Sequence, residues 1–246
     1  MGNNPEFVKS KNTKIYPSTQ REIDKSEIFT RLSTFNYDNK RGKFPAFGAL
    51  TALNDETILG QNKVFRHVEQ DTIIIILPLF GAVVYKDSLE NEDIIDTEQL
   101  RIFSAKKGMT YELTNPYRDG LINYIQIWLT PHDNLFAAES QQNPFSCSRK
   151  NELFPLFAKE DAIAETLKIP LDCFGYVGIY DIGAKTTYDL LQPKNGLFCY
   201  VISGEFEVGN QHLSAKDGFS IVGNDSVILE SLAADSVLLV IEVPLD

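Results

Sequence analysis

The sequence predicts an all-β protein built as two similar barrels in tandem. Three observations carry that expectation. Short apolar stretches of strand length recur with turn residues between them every 8–12 positions or so, the spacing of hairpin-built β domains. Glycine-containing turns join several of these stretches, at Pro78 to Gly81, Ser203-Gly204, Gly209-Asn210 and Lys216-Asp217-Gly218. The two halves also echo each other. Leu79-Phe80-Gly81-Ala82-Val83-Val84 resembles Ile202-Ser203-Gly204-Glu205-Phe206-Glu207 in turn chemistry, and Ser104-Ala105-Lys106-Lys107-Gly108 resembles Ser214-Ala215-Lys216-Asp217-Gly218, which reads as a domain-sized repeat.

The elements follow in order. Met1 to Ser26 is polar, with Pro5 and Pro17, and predicts an extended arm or an edge strand at Lys14-Ile15-Tyr16. Ile28 to Phe35 has mixed periodicity, Phe47 to Leu50 predicts a short strand, and Asn54-Asp55-Glu56 reads as a turn by composition. Ile73 to Leu77 is an uninterrupted apolar strand, paired through the Pro78–Gly81 turn with Ala82 to Tyr85. Ser88 to Asp96 reads as an acidic loop, and Leu100 to Phe103, Thr110 to Leu113 and Ile122 to Leu129 as strands, the last stopped by Pro131. Residues 135–170 are expected to be a linker, with short helical turns between Leu153 and Leu167. From Tyr176 to Val243 the pattern is again strands and turns. The expected division is a first barrel over 14–134, a linker over 135–170 and a second barrel over 171–246.

Composition bounds the function. A chain of 246 residues with 43% hydrophobic residues can bury two cores, and its formal charge of -11 repels phosphate backbones and anionic membranes. Neither a nucleic-acid partner nor a membrane is expected. Cys147, Cys173 and Cys199 are odd in number and widely spaced, which argues against a disulfide framework or a zinc knuckle, and Cys173 and Cys199 read as core thiols. The polar N-terminus carries no apolar signal core, so the expected setting is a reducing compartment, most simply a bacterial cytoplasm. No G-x-S-x-G elbow, P-loop or GxGxxG is present, which leaves serine hydrolysis, nucleotide hydrolysis and dinucleotide binding without support.

The stretch that promises chemistry is Phe65-Arg66-His67-Val68-Glu69-Gln70-Asp71, just before the apolar strand. Residues two apart on a strand share a face, so His67 and Glu69 are expected to enter the first barrel together. Tyr111 and Leu113 alternate with Glu112, which is expected to point outward. The bland reading makes His67, Glu69 and Tyr111 a hydrogen-bonded cluster that satisfies a buried carboxylate and still lines a pocket. His132 and His212 read as surface residues.

Phe47-Gly48-Ala49-Leu50, Lys86-Asp87-Ser88, Phe103-Ser104-Ala105, Gly108, Asn115-Pro116 and Ile125-Gln126-Ile127-Trp128 resemble the N-terminal barrel of the pirin-like proteins. Val201-Ile202-Ser203-Gly204-Glu205 and Ala215-Lys216-Asp217-Gly218 resemble their second barrel. The resemblance covers Ile15 to Val243 in consistent order and implies a bicupin, two tandem cupin barrels. It also implies an N-terminal site for one iron or another divalent metal, held by a His-x-His pair and by a histidine and a glutamate on a later strand. Some members open quercetin with dioxygen, and a eukaryotic member is a transcription cofactor. Carried over by position, the first histidine is His67, the second is replaced by Glu69, the third by Tyr111 and the glutamate by Leu113. Two ligands and a phenol that must lose its proton make a poor iron site, so no metal and no other cofactor is expected in either barrel. The expectation is a metal-free small-molecule-binding or regulatory bicupin whose pocket is lined by His67, Glu69, Tyr111 and Leu113. A quercetinase-type dioxygenase with an atypical iron or other divalent metal, and a protein-interaction module of the cofactor type, are the alternatives.

Overall fold

The computed structural model describes residues 12–35, 44–131, 140–146, 149–159, 162–164 and 166–245. Within them the first half contributes β1 (Thr13–Tyr16), β2 (Glu22–Lys25), β3 (Phe29–Ser33), β4 (Leu50–Leu59), β5 (Lys63–His67), β6 (Thr72–Phe80), β7 (Val83–Asp87), β8 (Glu92–Ile95), β9 (Gln99–Ala105), β10 (Thr110–Thr114), β11 (Leu121–Leu129) and β12 (Gln141–Pro144). The second half contributes β13 (Phe154–Lys159), β14 (Leu167–Ile169), β15 (Phe174–Tyr180), β16 (Lys185–Asp189), β17 (Asn195–Ser203), β18 (Glu205–Val208), β19 (Gln211–Ser214), β20 (Gly218–Val222), β21 (Ser226–Ser231) and β22 (Ser236–Pro244). Among the described residues the helical structure is one 3-10 turn, Ser18–Gln20.

Each barrel is a seven-stranded sheet closed by a four-stranded one. The first pairs β12-β9-β6-β11-β4-β3-β2 with β5-β10-β7-β8, and the second pairs β1-β20-β17-β22-β15-β13-β14 with β16-β21-β18-β19. The two large sheets stand back to back. Ile73, Ile75 and Leu77 of β6, with Ile125, Ile127 and Leu129 of β11, meet Phe198, Tyr200, Leu239 and Ile241 of the second barrel in one shared core. The alternate residues of β6, Ile74 and Ile76, point into the first barrel. Both faces of β6 are therefore buried, which is why Ile73 to Leu77 carries no polar position.

The repeated glycine turns hold for a steric reason. Gly81 and Gly204 both adopt positive φ, at 73° and 77°, and a Cβ would meet Ile122 at 2.9 Å in the first case and Ser236 Oγ at 2.1 Å in the second.

Four local expectations are corrected. Asn54-Asp55-Glu56 is not a turn but the middle of β4, with all three side chains buried, because Asp55 finds partners in the second barrel and Glu56 finds them on other strands of the first. Ser88 to Asp96 contains β8, paired to β7. Phe47 lies before β4, which begins at Leu50. The expected helical turns between Leu153 and Leu167 are instead β13 and β14, held in the second barrel's sheet by pairing of β13 with β15.

The arm at Lys14-Ile15-Tyr16 is an edge strand, but of the second barrel, where β1 pairs with β20. The chain then crosses to the first barrel, where β2 pairs with β3. At the crossing Arg21 donates to Tyr200 at 2.9 Å, and Asp55 accepts from Tyr200 at 2.9 Å, from Lys216 at 2.6 Å and from Asn123 at 2.7 Å. This buried polar knot joins residues from the arm and both barrels.

Candidate functional site

The interior of the first barrel is where the sequence places chemistry. The structure splits the expected residues between two faces. Tyr111 and Leu113 point inward and are buried. His67 and Glu69 are exposed on the outer face, so the expectation that they enter the barrel is corrected. The inward positions of that stretch are Val64, Arg66 and Val68. The register explains it: on the antiparallel β5–β10 pair, Arg66 lies opposite Tyr111 and His67 opposite Thr110. The ladder continues past β5, since Val68 donates its amide to Met109 and accepts from Gly108, which keeps Val68 on the inner face.

Around the inward residues a polar network has formed that sequence reasoning missed. Glu56 is completely buried. Its Oε2 accepts from Arg66 Nη2 at 2.7 Å, from Tyr124 Oη at 2.7 Å and from Gln126 Nε2 at 2.9 Å. Gln126 Oε1 accepts in turn from Tyr111 Oη at 2.6 Å and from Trp128 Nε1 at 3.4 Å. Glu56 Oε1 is buried with no hydrogen-bond partner among the described residues. The Tyr124 phenol is pushed well above its ordinary value, by burial first and then by the Glu56 charge, so it serves as a neutral donor. Arg66 is 9% exposed at its side chain, and its guanidinium lies over the Phe29 ring at 5.1 Å. Aromatic rings fill the rest: Tyr85 packs against Phe103 at 4.8 Å and Phe103 against Tyr111 at 5.5 Å. One signal for this arrangement was available in the sequence. Val64 and Val68, two small β-branched residues four apart, mark an inner face that Arg66 shares.

The second barrel has a different interior, dominated by Cys199, Val201, Phe206, Phe219 and Leu238. Burial pushes the Cys199 thiol far up, as it does Cys173, so both are inert core groups. His212 is on the surface and pairs with Glu205 at 2.8 Å. His132 and Cys147 lie outside the described residues.

The comparisons fit this architecture. The family model described as Pirin matches residues 15–129, and the one described as Quercetinase C-terminal cupin domain matches residues 156–243. The chain belongs to the pirin-like family. A quercetin 2,3-dioxygenase of Escherichia coli (strain K12) is 23% identical over 212 residues, 86% of this chain and 90% of that protein. A pirin-like protein of Caulobacter vibrioides is 25% identical over 197 residues, 80% of this chain and 84% of that one. The crystal structure of bacterial pirin YhhW from Escherichia coli in complex with nickel(II) superposes with a TM-score of 0.82 at 21% identity, covering 94% of this chain and 99% of that one.

Within a pirin-like barrel, the implied site can be tested on the side chains present. The residues that face the interior on β5, its extension and β10 are Arg66, Val68, Tyr111 and Leu113. A guanidinium is always cationic, Val and Leu offer no donor atom, and the Tyr111 hydroxyl is already donated to Gln126. Among the described residues no three His, Cys, Asp or Glu side chains gather into a metal-sized group. This donor set does not suit a divalent transition metal.

Proposed function

We propose that this pirin-like bicupin works without a catalytic metal, as a ligand-binding or regulatory protein rather than as a flavonol dioxygenase. The observation that supports the reading is the position of Arg66: its guanidinium contacts the Glu56 carboxylate at 2.7 Å inside the barrel, opposite Tyr111. A second cation brought to the same place would meet that charge with little water to screen it. The relatives named as quercetin 2,3-dioxygenases support the alternative activity only at 23% identity.

The test is metal analysis of the purified protein together with a quercetin assay. The expected result is no stoichiometric iron, copper or nickel and no dioxygen-dependent loss of quercetin absorbance when these metals are supplied. Turnover that follows added metal and stops with a chelator sinks the reading and puts the dioxygenase in its place.

A further inference from the structure

We infer that Arg66 is a built-in cation, an internal replacement for a bound metal's charge, on which the stability of the first barrel's interior depends. The inference rests on the metal-free reading above and says what the barrel uses in a metal's stead.

Four observations lead to it. Glu56 sits in the middle of β4 with no exposure, and an uncompensated carboxylate there is costly. Among the described groups that hydrogen-bond Glu56, Arg66 carries the positive charge: Tyr124 from β11 is uncharged and Gln126 is neutral, while Arg31, the cross-strand neighbour on β3, pairs with Asp24 at 3.1 Å. Lys63, two residues before Phe65 on β5, points outward to Glu112 at 3.0 Å. Finally, Arg66 is held rather than reaching for solvent: Nη1 donates to the Phe65 carbonyl at 3.0 Å and the guanidinium plane is seated over Phe29.

A guanidinium in this place differs from a metal in two ways that matter. It keeps its charge at any pH the fold survives, and no chelator removes it. It also ties β5 to β4 beside Phe29, so the four-stranded sheet is fastened to the seven-stranded one by a side chain of the chain itself.

The experiment compares wild type, Arg66→Met, Arg66→Lys and the double variant Glu56→Gln with Arg66→Met by thermal unfolding from pH 5 to pH 8, with and without a chelator. Wild type is expected to unfold at the same temperature with and without the chelator. Arg66→Met is expected to unfold about 10 °C lower at pH 8, the effect of leaving a buried charge unpaired in a chain of this size. Its stability is expected to fall as pH rises. An unpaired carboxylate in apolar surroundings holds its proton to higher pH when folded than when unfolded, so the folded state loses ground once that proton leaves. The double variant removes the carboxylate's charge as well and is expected to recover most of the loss and to be flat across this range. Arg66→Lys is expected to fall between wild type and Arg66→Met, since it keeps the charge and loses the planar seat on Phe29. If Arg66→Met fails to fold, recovery in the double variant carries the comparison. An Arg66→Met protein with wild-type stability and a flat pH profile overturns the inference, and so does a double variant no better than the single. A metal in wild type whose removal lowers its unfolding temperature sinks the metal-free reading instead, a different result read in a different sample.

Discussion

Among the described residues each barrel buries one glutamate completely, and the two are accommodated in opposite ways. Glu242 on β22 of the second barrel has neutral donors on both oxygens: Tyr188 Oη at 2.8 Å and the Leu191 amide at 2.9 Å on Oε2, the Gln192 amide at 2.8 Å and Asn195 Nδ2 at 2.9 Å on Oε1. Glu56 in the first barrel has three donors crowded on one oxygen, one of them cationic, and none among the described residues on the other. Backbone amides cannot be recruited without fixing the loop that carries them, so Glu242 is a clasp for residues 190–195 and has no spare capacity. Side chains from other strands can move, and a spare oxygen can still accept. The difference separates a carboxylate held by neutral donors on both oxygens from one held by a guanidinium and two neutral donors on a single oxygen.

The largest expected effect lies on the structural side of that comparison. Glu242→Ala strands four donors, two of them buried side chains and two partly exposed main-chain amides, and should lower stability by about 3 kcal/mol. Urea unfolding measures the loss, and hydrogen exchange should show the amides of Leu191 and Gln192 losing protection first. A loss below about 1 kcal/mol would mean that Glu242 is no clasp.

The next concerns the seam between the barrels. Burial is the largest influence on the Asp55 carboxyl and works to raise its pKa, but the Lys216 charge and the hydrogen bonds from Lys216, Asn123 and Tyr200 together outweigh it and hold it below the ordinary range. A carboxylate depressed in the folded state contributes stability that is full above its unfolded pKa of about 3.9 and is lost as pH falls through the lower folded value. Asp55→Asn should therefore cost about 3 kcal/mol at pH 7, with the gap from wild type closing below about pH 4. Parallel stability curves for the two proteins down to pH 2 would show that the knot is not an ionic one.

How much of this was legible in the sequence depends on whether a residue's neighbours in the chain decide its place. The tandem barrels were legible because Gly81 and Gly204 mark turns by a local steric rule, and the apolar run of β6 marks a strand buried on both faces. Tyr111 and Leu113 are buried and Glu112 between them pairs with Lys63, the strand alternation that the sequence pattern suggests. Glu56 was not legible. Three polar residues in a row look like a turn until Arg66, Tyr124 and Gln126, from two other strands, arrive to satisfy one of them. The inner face of the stretch around Arg66 turned on a one-residue register that the pairing with β10 fixes and local alternation does not.

A matched pair of tyrosine substitutions sharpens the comparison at finer scale. Tyr188→Phe and Tyr124→Phe each delete one hydroxyl donor to a buried carboxylate. Glu242 is then left with neutral donors alone, whereas Glu56 keeps the guanidinium. The expected losses are about 2 kcal/mol for Tyr188→Phe and about 1 kcal/mol for Tyr124→Phe by urea unfolding. The reverse order would show that Arg66 contributes little to holding the Glu56 charge.

The smallest expected effect is the most pointed test of the site. His67 and Glu69 occupy the positions where the family resemblance implies a metal-binding pair, yet both side chains are exposed on the outer face, and the side chains between Phe65 and Glu69 that reach the interior are Arg66 and Val68. An exposed residue away from caps, turns and buried networks contributes within about 0.5 kcal/mol. His67→Ala and Glu69→Ala should therefore leave unfolding by urea, metal content and quercetin absorbance indistinguishable from wild type, singly and together. Val68→Ala, one residue from each, truncates a side chain buried among Val64, Tyr111 and Leu113 and should cost about 2 kcal/mol, a larger effect from a smaller and less chemical residue. That inversion follows from the register alone. If instead His67→Ala removes a bound metal or a catalytic activity while Val68→Ala is silent, then β5 pairs with β10 one residue out of the register described, and the first barrel is lined by the histidine rather than by the arginine.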